Sequence, residues 1–212
     1  MFWRKSFAVG PLGCNCSVVA NTETKEALIV DPGGDGEKIL NLLNQEGFTL
    51  KWILHTHAHF DHFLASGFLH EKTAAPMALH AEDAFLWNML ETQCGMFGIP
   101  CDGPLPPPSL TLDHEQVFNL GEIQCCALHT PGHTPGSVSF SFASEKVLLS
   151  GDTLFRGGVG RTDLWGGDFK ALENAIQTRL YTLDEATLVI PGHGPSTSIG
   201  DELRQNPFVS AR

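Results

Sequence analysis

No apolar run in this chain approaches the roughly 20 residues needed to cross a bilayer, and the first ten residues, MFWRKSFAVG, lack the continuous apolar core of a signal peptide. A membrane-embedded or exported protein is therefore not expected, and the expected address is the cytoplasm. Positive charge is also scarce: 13 Lys plus Arg stand against 24 Asp plus Glu, a formal charge of −11. A partner that depends on phosphate neutralisation would meet a repulsive average field, which argues against nucleic acid. The Cys-x-x-Cys pair typical of structural zinc sites is missing, although there are six cysteines: Cys14, Cys16, Cys94, Cys101, Cys125 and Cys126. Buried, reduced thiols are the expectation, with Cys125 and Cys126 on opposite faces of a strand. There is no internal repeat and no low-complexity segment.

What is present is a chain of 212 residues, 42% of them hydrophobic, enough to bury a full core. One domain over residues 1–212 is expected. Short β-like runs recur at residues 16–20, 27–30, 52–55, 123–128, 137–142, 146–149 and 187–190. Helical patterns fall at 36–45, about 62–71, 81–90 and 169–179, so strands and helices are interleaved in an α/β order. Residues 94–110 contain five prolines and read as a long loop of functional interest.

The strongest chemical signal is Thr56-His57-Ala58-His59-Phe60-Asp61-His62, directly after the apolar Trp52-Ile53-Leu54. A loop leaving a strand exposes its polar groups at the rim of a sheet, and three imidazoles with a carboxylate supply the N and O donors that suit zinc, iron or manganese. Four such groups in six residues exceed what one tetrahedral ion takes from one short loop, so two neighbouring ions are suggested. Two more histidines stand in rigid Pro/Gly turns after apolar strands, in Thr130-Pro131-Gly132-His133-Thr134-Pro135-Gly136 and Ile190-Pro191-Gly192-His193-Gly194-Pro195. An aspartate emerges from a buried-looking strand in Leu149-Ser150-Gly151-Asp152-Thr153, where an ionised carboxylate is costly unless paired or metal-bound.

This order of motifs resembles the metallo-β-lactamase superfamily and, within it, the short glyoxalase II-like hydrolases. The resemblance runs from Asn15-Cys16 and Val30-Asp31-Pro32-Gly33-Gly34 through Gly160-Arg161-Thr162-Asp163 to Asn206-Pro207-Phe208. It implies an αββα sandwich of two mixed sheets with helices outside and the metals at one edge. It further implies that His57, His59 and His133 bind a first divalent metal and Asp61, His62 and His193 a second, with Asp152 bridging both. Zinc is the first expectation, iron and manganese being compatible with the same donors. The other histidines, His55, His70, His80, His114 and His129, match no ligand position and are assigned to core or surface.

Two adjacent cations activate water against a carbonyl, and Asp61 is expected to serve both as ligand and as proton acceptor. The expected substrate is a small-molecule thioester, whose thiolate, with a pKa near 8.5, leaves without a strong general acid. Glyoxalase II-type hydrolysis of S-D-lactoylglutathione is the reading that the resemblance implies. In that family glutathione is gripped by a basic residue and a tyrosine after the bridging aspartate, a tyrosine after the last histidine, and basic residues of a C-terminal helical extension. Here Arg161 fills the basic position, Asp163 replaces the first tyrosine, Gly194-Pro195 follows His193, and the chain ends at Arg212 without that extension. Arg161 is thus expected to bind substrate, with an ion pair to Asp163 or Asp168 that orders the loop as its other reading. Two other activities stay open: hydrolysis of a small ester or lactone, and a single-iron persulfide dioxygenase on His57, His59, His133 and Asp152. Those dioxygenases carry Cys where this chain has Val159.

Overall fold

The first half of the chain lays down a six-stranded sheet in sequence order: β1 (Phe2–Val9), β2 (Cys14–Asn21), β3 (Glu26–Val30), β4 (Thr49–Leu54), β5 (Met77–His80) and β6 (Leu110–Leu112). The first three strands pair antiparallel and the rest parallel, so the sheet is mixed. The computed structural model that shows this describes residues 1–101 and 103–210. Four helices cover the outer face of this sheet: α1 (Gly36–Glu46), α2 (Ser66–Thr73), α3 (Ala84–Asn88) and α4 (Leu90–Phe97).

The second half forms β7 (Val117–Leu120), β8 (Ile123–His129), β9 (Val138–Phe142) and β10 (Val147–Gly151), then a small separate hairpin of β11 (Leu154–Phe155) and β12 (Gly158–Val159). With β13 (Leu188–Pro191) and β14 (Thr197–Ser198) the main strands make a second mixed sheet, ordered β14-β13-β10-β9-β8-β7. Its outer face is covered by α5 (Phe169–Ala175), continued by a π turn at Ile176–Leu180, and by α6 (Ile199–Gln205).

Period-two alternation sorts the strand residues between these layers. In β3, Leu28 and Val30 enter the core between the sheets, whereas Ala27 and Ile29 pack under the helices. Likewise Val147 and Leu149 of β10 face the other sheet, and Leu148 faces α5 and α6. Strands covered on both faces read as unbroken apolar runs, which is what Ala27-Leu28-Ile29-Val30 does. The architecture is the expected αββα sandwich of two mixed sheets.

Local expectations are corrected in places. Cys94–Phe97 is the end of α4 rather than loop, because the helix runs on until Gly98 caps it in the left-handed region at φ 66° and the prolines begin only at Pro100. Asp102, within the expected 94–110 loop, lies outside the described residues. The helix expected near 62–71 starts at Ser66, since Phe60–His62 is a single 3₁₀ turn shaped by the ligand loop. The one expected at 81–90 is a 3₁₀ turn followed by α3 and, after Met89, by α4. Of the thiols, Cys14, Cys16, Cys94 and Cys125 are buried as expected; Cys101 and Cys126 are only half-buried.

Candidate metal centre

Strand directions bring the chemistry to one edge of the sandwich. β3 and β4 run parallel in one sheet, β10 and β13 in the other, and β8 shares the direction of β10 through the antiparallel β9 between them. The segments leaving these five strands carry Asp31, His57 to His62, His133, Asp152 and His193. The Val138 amide donates to the Thr56 carbonyl at 2.7 Å, tying the two sheets together at that edge.

All seven expected ligands converge there. Donor atoms of His57, His59 and His133 lie within 4.8 Å of one another, as do those of Asp61, His62 and His193; His57, His62 and Asp152 form a third such group joining the two. The Asp152 carboxylate stands between them, Oδ1 3.6 Å from His62 Nε2 and Oδ2 3.7 Å from His133 Nε2. Gly192 makes room for this: a Cβ there would overlap Asp152 Oδ1 and His62 Cε1.

For His57, His62 and His133 the hydrogen-bond network fixes which nitrogen faces inward. Thr56 Oγ1 donates to Asp31 Oδ2, so it accepts from His57 Nδ1 at 3.0 Å. His62 Nδ1 donates to Asp31 Oδ2 at 3.0 Å, and His133 Nδ1 to the Arg161 carbonyl at 2.7 Å. Each ring thereby presents an Nε2 lone pair to the cluster, as a ligating histidine does. The result is nitrogen facing nitrogen: His59 Nδ1 lies 3.1 Å from His57 Nε2 and 2.9 Å from His133 Nε2, and His62 Nε2 lies 3.2 Å from His193 Nε2. Asp152 Oδ1 is buried without a hydrogen-bond partner. Converging lone pairs and an orphaned carboxylate oxygen are stable around cations and costly otherwise, so the donor set fits divalent metal.

The electrostatics divide the donors: burial keeps His57 and His59 neutral, whereas His62, against its burial, is raised by Cys14, Asp61 and Asp152, and the hydrogen bond to Asp61 raises His193. Burial, reinforced by neighbouring His133 and His62, lowers His59 to about 3, and burial also holds His57 far below the usual histidine range, keeping both as neutral ligands. Burial opposes ionisation of Asp61, yet His62 and the hydrogen bond from His193 hold its carboxyl at about 2.

The remaining histidines sit outside this cluster. His55 is buried with Nδ1 donating to the Ala78 carbonyl and Nε2 accepting from Ser66, and His70 bonds the Ala75 carbonyl. Among the described residues His80, Glu82 and His129 form another close group, but its two rings stack at 4.1 Å and 12°, so their in-plane lone pairs do not meet at one point. Arg161 lines the cavity over the expected ligands, and its guanidinium donates through Nε and Nη2 to Asp163 at 2.7 and 2.8 Å.

Three supporting residues were not singled out from the sequence. Asp31, in the left-handed region at φ 54°, binds the Thr56 amide and hydroxyl and His62. Asp83 is fully buried and accepts from the Ala58 amide, the Thr134 hydroxyl and the Gly136 amide. Gln93 accepts from the Phe60 amide and donates to the Ala58 and Leu86 carbonyls. Only Asp31 left a trace, as part of Val30-Asp31-Pro32-Gly33-Gly34.

The model of the metallo-beta-lactamase superfamily matches residues 9–193, a span that includes all seven expected ligands. The chain belongs to that superfamily. Among relatives of this metallo-beta-lactamase family member, the hydroxyacylglutathione hydrolase GloC of Haemophilus influenzae is 36% identical over 93% of each chain. The solved structure of the B3 metallo-beta-lactamase BLEG-1 is 39% identical, with a TM-score of 0.90 and full coverage of both chains. That of TTHA1623, in a di-iron-bound form, is also 39% identical, with a TM-score of 0.88 over 97% of this chain and all of that one. The chain is thus a metal-dependent hydrolase of the metallo-beta-lactamase superfamily, with His/Asp groups able to hold metal at the expected sheet edge.

Proposed function

We propose that this chain is a thioesterase of the glyoxalase II type, acting on S-D-lactoylglutathione or a related small acyl thioester. His57, His59 and His133 would hold one divalent metal, Asp61, His62 and His193 a second, and Asp152 would be shared; zinc is the first choice for so nitrogen-rich a set. The observation that carries the reading is that both donor groups open onto a cavity of about 160 Å³ lined by His59, Asp61, His133, Asp152 and His193. A structural metal site is closed, whereas a catalytic one keeps a position for water or substrate. The likeness to GloC adds support for a thioester.

Bound metals supply Lewis acidity toward a carbonyl and a nucleophile drawn from water near neutral pH. The chain's own residues do the rest. Asp61, kept ionised and 3.1 Å from His193 Nε2, is the proton acceptor at the cavity floor. Asp31 fixes the tautomer of His62, and the Arg161 carbonyl that of His133, so that neither ring needs to reorganise during turnover. No side chain has to protonate the departing thiolate.

The test is hydrolysis of S-D-lactoylglutathione by metal-reconstituted protein, followed together with oxygen consumption. Thiol release without oxygen uptake is expected. Oxygen uptake on a persulfide with no thioester cleavage would instead establish the single-iron dioxygenase reading.

A further inference from the structure

The cavity above the ligands has an apolar rim, and the segments that position the rim also carry the ligands. Leu12 occupies the turn between β1 and β2; three residues later Asn15 donates at 2.9 Å to the carbonyls of Pro191 and Gly194, on either side of His193. Phe97 lies one helical turn after Gln93, which is bonded to Ala58 and Phe60, and its ring is 5.2 Å from that of Phe60. Leu164 and Trp165 stand in a turn closed by the Gly167 amide on the Leu164 carbonyl, and the next amide, Asp168, donates to Gly132 beside His133. The Trp165 ring is 6.3 Å from that of His59.

Leu12 and Phe97 are 45% and 48% exposed, so large apolar side chains are held in water at the mouth of the metal cavity. Apolar side chains gathered around the mouth of a cavity offer a place where an apolar group can dock. The polar residues lining the cavity offer little to a hydroxyl. Apart from the metal ligands they are Gln93, whose amide oxygen and nitrogen are bonded to the backbone, and Arg161, whose Nε and Nη2 are bonded to Asp163 and whose remaining N–H donors stay open to a charged group of the substrate's thiol half. A site that selects a hydroxyl-bearing substrate presents a partner for that hydroxyl.

We infer that the rim of Leu12, Phe97, Leu164 and Trp165 is an acyl-binding wall, and that the preferred substrates are thioesters of apolar acyl groups, aliphatic or aryl, rather than hydroxyacyl groups. The inference rests on the thioesterase reading and narrows it. Each methylene buried against such a wall is worth about fourfold in affinity.

The experiment uses the metal-loaded full chain with acetyl, D-lactoyl, hexanoyl and phenylacetyl thioesters of one neutral thiol, N-acetylcysteamine, so that only the acyl group varies. Hexanoyl and phenylacetyl thioesters should exceed the D-lactoyl one at least about tenfold in kcat/KM. Trp165→Ala and Phe97→Ala should each shrink that ratio, with Trp165→Phe preserving most of it. In parallel, calorimetry should show hexanoate and phenylacetate binding at least about tenfold more tightly than D-lactate. Hydrolysis with equal or reversed acyl preference overturns the inference and leaves the thioesterase reading intact. If no thioester is hydrolysed, the thioesterase reading falls and calorimetry alone decides the wall: tighter binding of the apolar acids upholds it, and equal binding overturns it.

Discussion

The carboxylate of Asp83 accepts the amide of Gly136 at 2.6 Å, and its second oxygen accepts the amide of Ala58 at 3.0 Å and the hydroxyl of Thr134 at 2.8 Å. Ala58 lies between His57 and His59, and Thr134 follows His133, so one buried side chain joins the two loops that supply the first three histidines. Burial raises the Asp83 pKa, with the three hydrogen bonds working against that shift. Asn at this position has one acceptor oxygen for three donors. Asp83→Asn should therefore leave a buried donor unpaired and cost about 1–3 kcal/mol, several degrees in Tm for a chain of this size. It should also weaken metal retention against a chelator at temperatures where the fold is intact by circular dichroism. Unchanged retention would show that the brace serves stability alone.

Metal content tests the ligand set directly. Purified protein should hold close to two metals per chain by elemental analysis. Asp152→Ala removes the carboxylate that stands between the two donor groups and should lower occupancy far more than His80→Ala or His129→Ala, whose rings stack on each other outside the cluster. Equal losses in all three variants would refute the assignment.

Asp61→Asn keeps the shape of the residue and removes its charge. His57, His59 and His133 are untouched, so much of the first metal should remain. Turnover should fall at least about a hundredfold, because a ligand charge and the proton acceptor disappear together. A near wild-type rate would mean that the Asp61, His62 and His193 group is dispensable, and would favour a single-metal enzyme.

The convergence of the seven expected ligands was legible because each is a His or Asp in a short turn after an apolar strand, and a strand end is a fixed point on a sheet. Their supports were not. Asp83 and Gln93 act by binding backbone amides and carbonyls of distant loops, and nothing in their local sequence marks a residue for that role. The same holds for parts of the fold. β1 went unread as a strand because Arg4 and Lys5 make an edge strand look polar, and β5 and β6, of four and three residues, are too short for alternation to register. At residues 94–97 the dense prolines that start at Pro100 mask a helix end, which only Gly98 marks. Trp165 and Phe97 gave no signal at all, since an aromatic residue in a loop or at a helix end declares its partner only once the chain is folded.

Arg161 supplies the most discriminating prediction about the thiol half of the substrate. Its side chain is 56% exposed and pairs with Asp163, which is also open to solvent, and water screens an ion pair so placed until it adds little to stability. Loss of the pair alone should therefore be nearly silent in Tm, and Asp163→Ala provides that control. If Arg161 also receives a carboxylate of the bound thiol, a charged hydrogen bond of roughly 1.5–3 kcal/mol is lost in Arg161→Ala, about ten- to a hundredfold in affinity. KM for S-D-lactoylglutathione should rise by that factor with kcat largely retained, the mark of uniform binding removed. KM for a neutral N-acetylcysteamine thioester should not move, because that thiol has no carboxylate to offer. Asp163→Ala, which frees the guanidinium, should hold KM for the glutathione thioester steady or lower it. Parallel losses of kcat and stability in both variants, with KM unchanged, would instead assign the pair to ordering the loop whose Arg161 carbonyl orients His133.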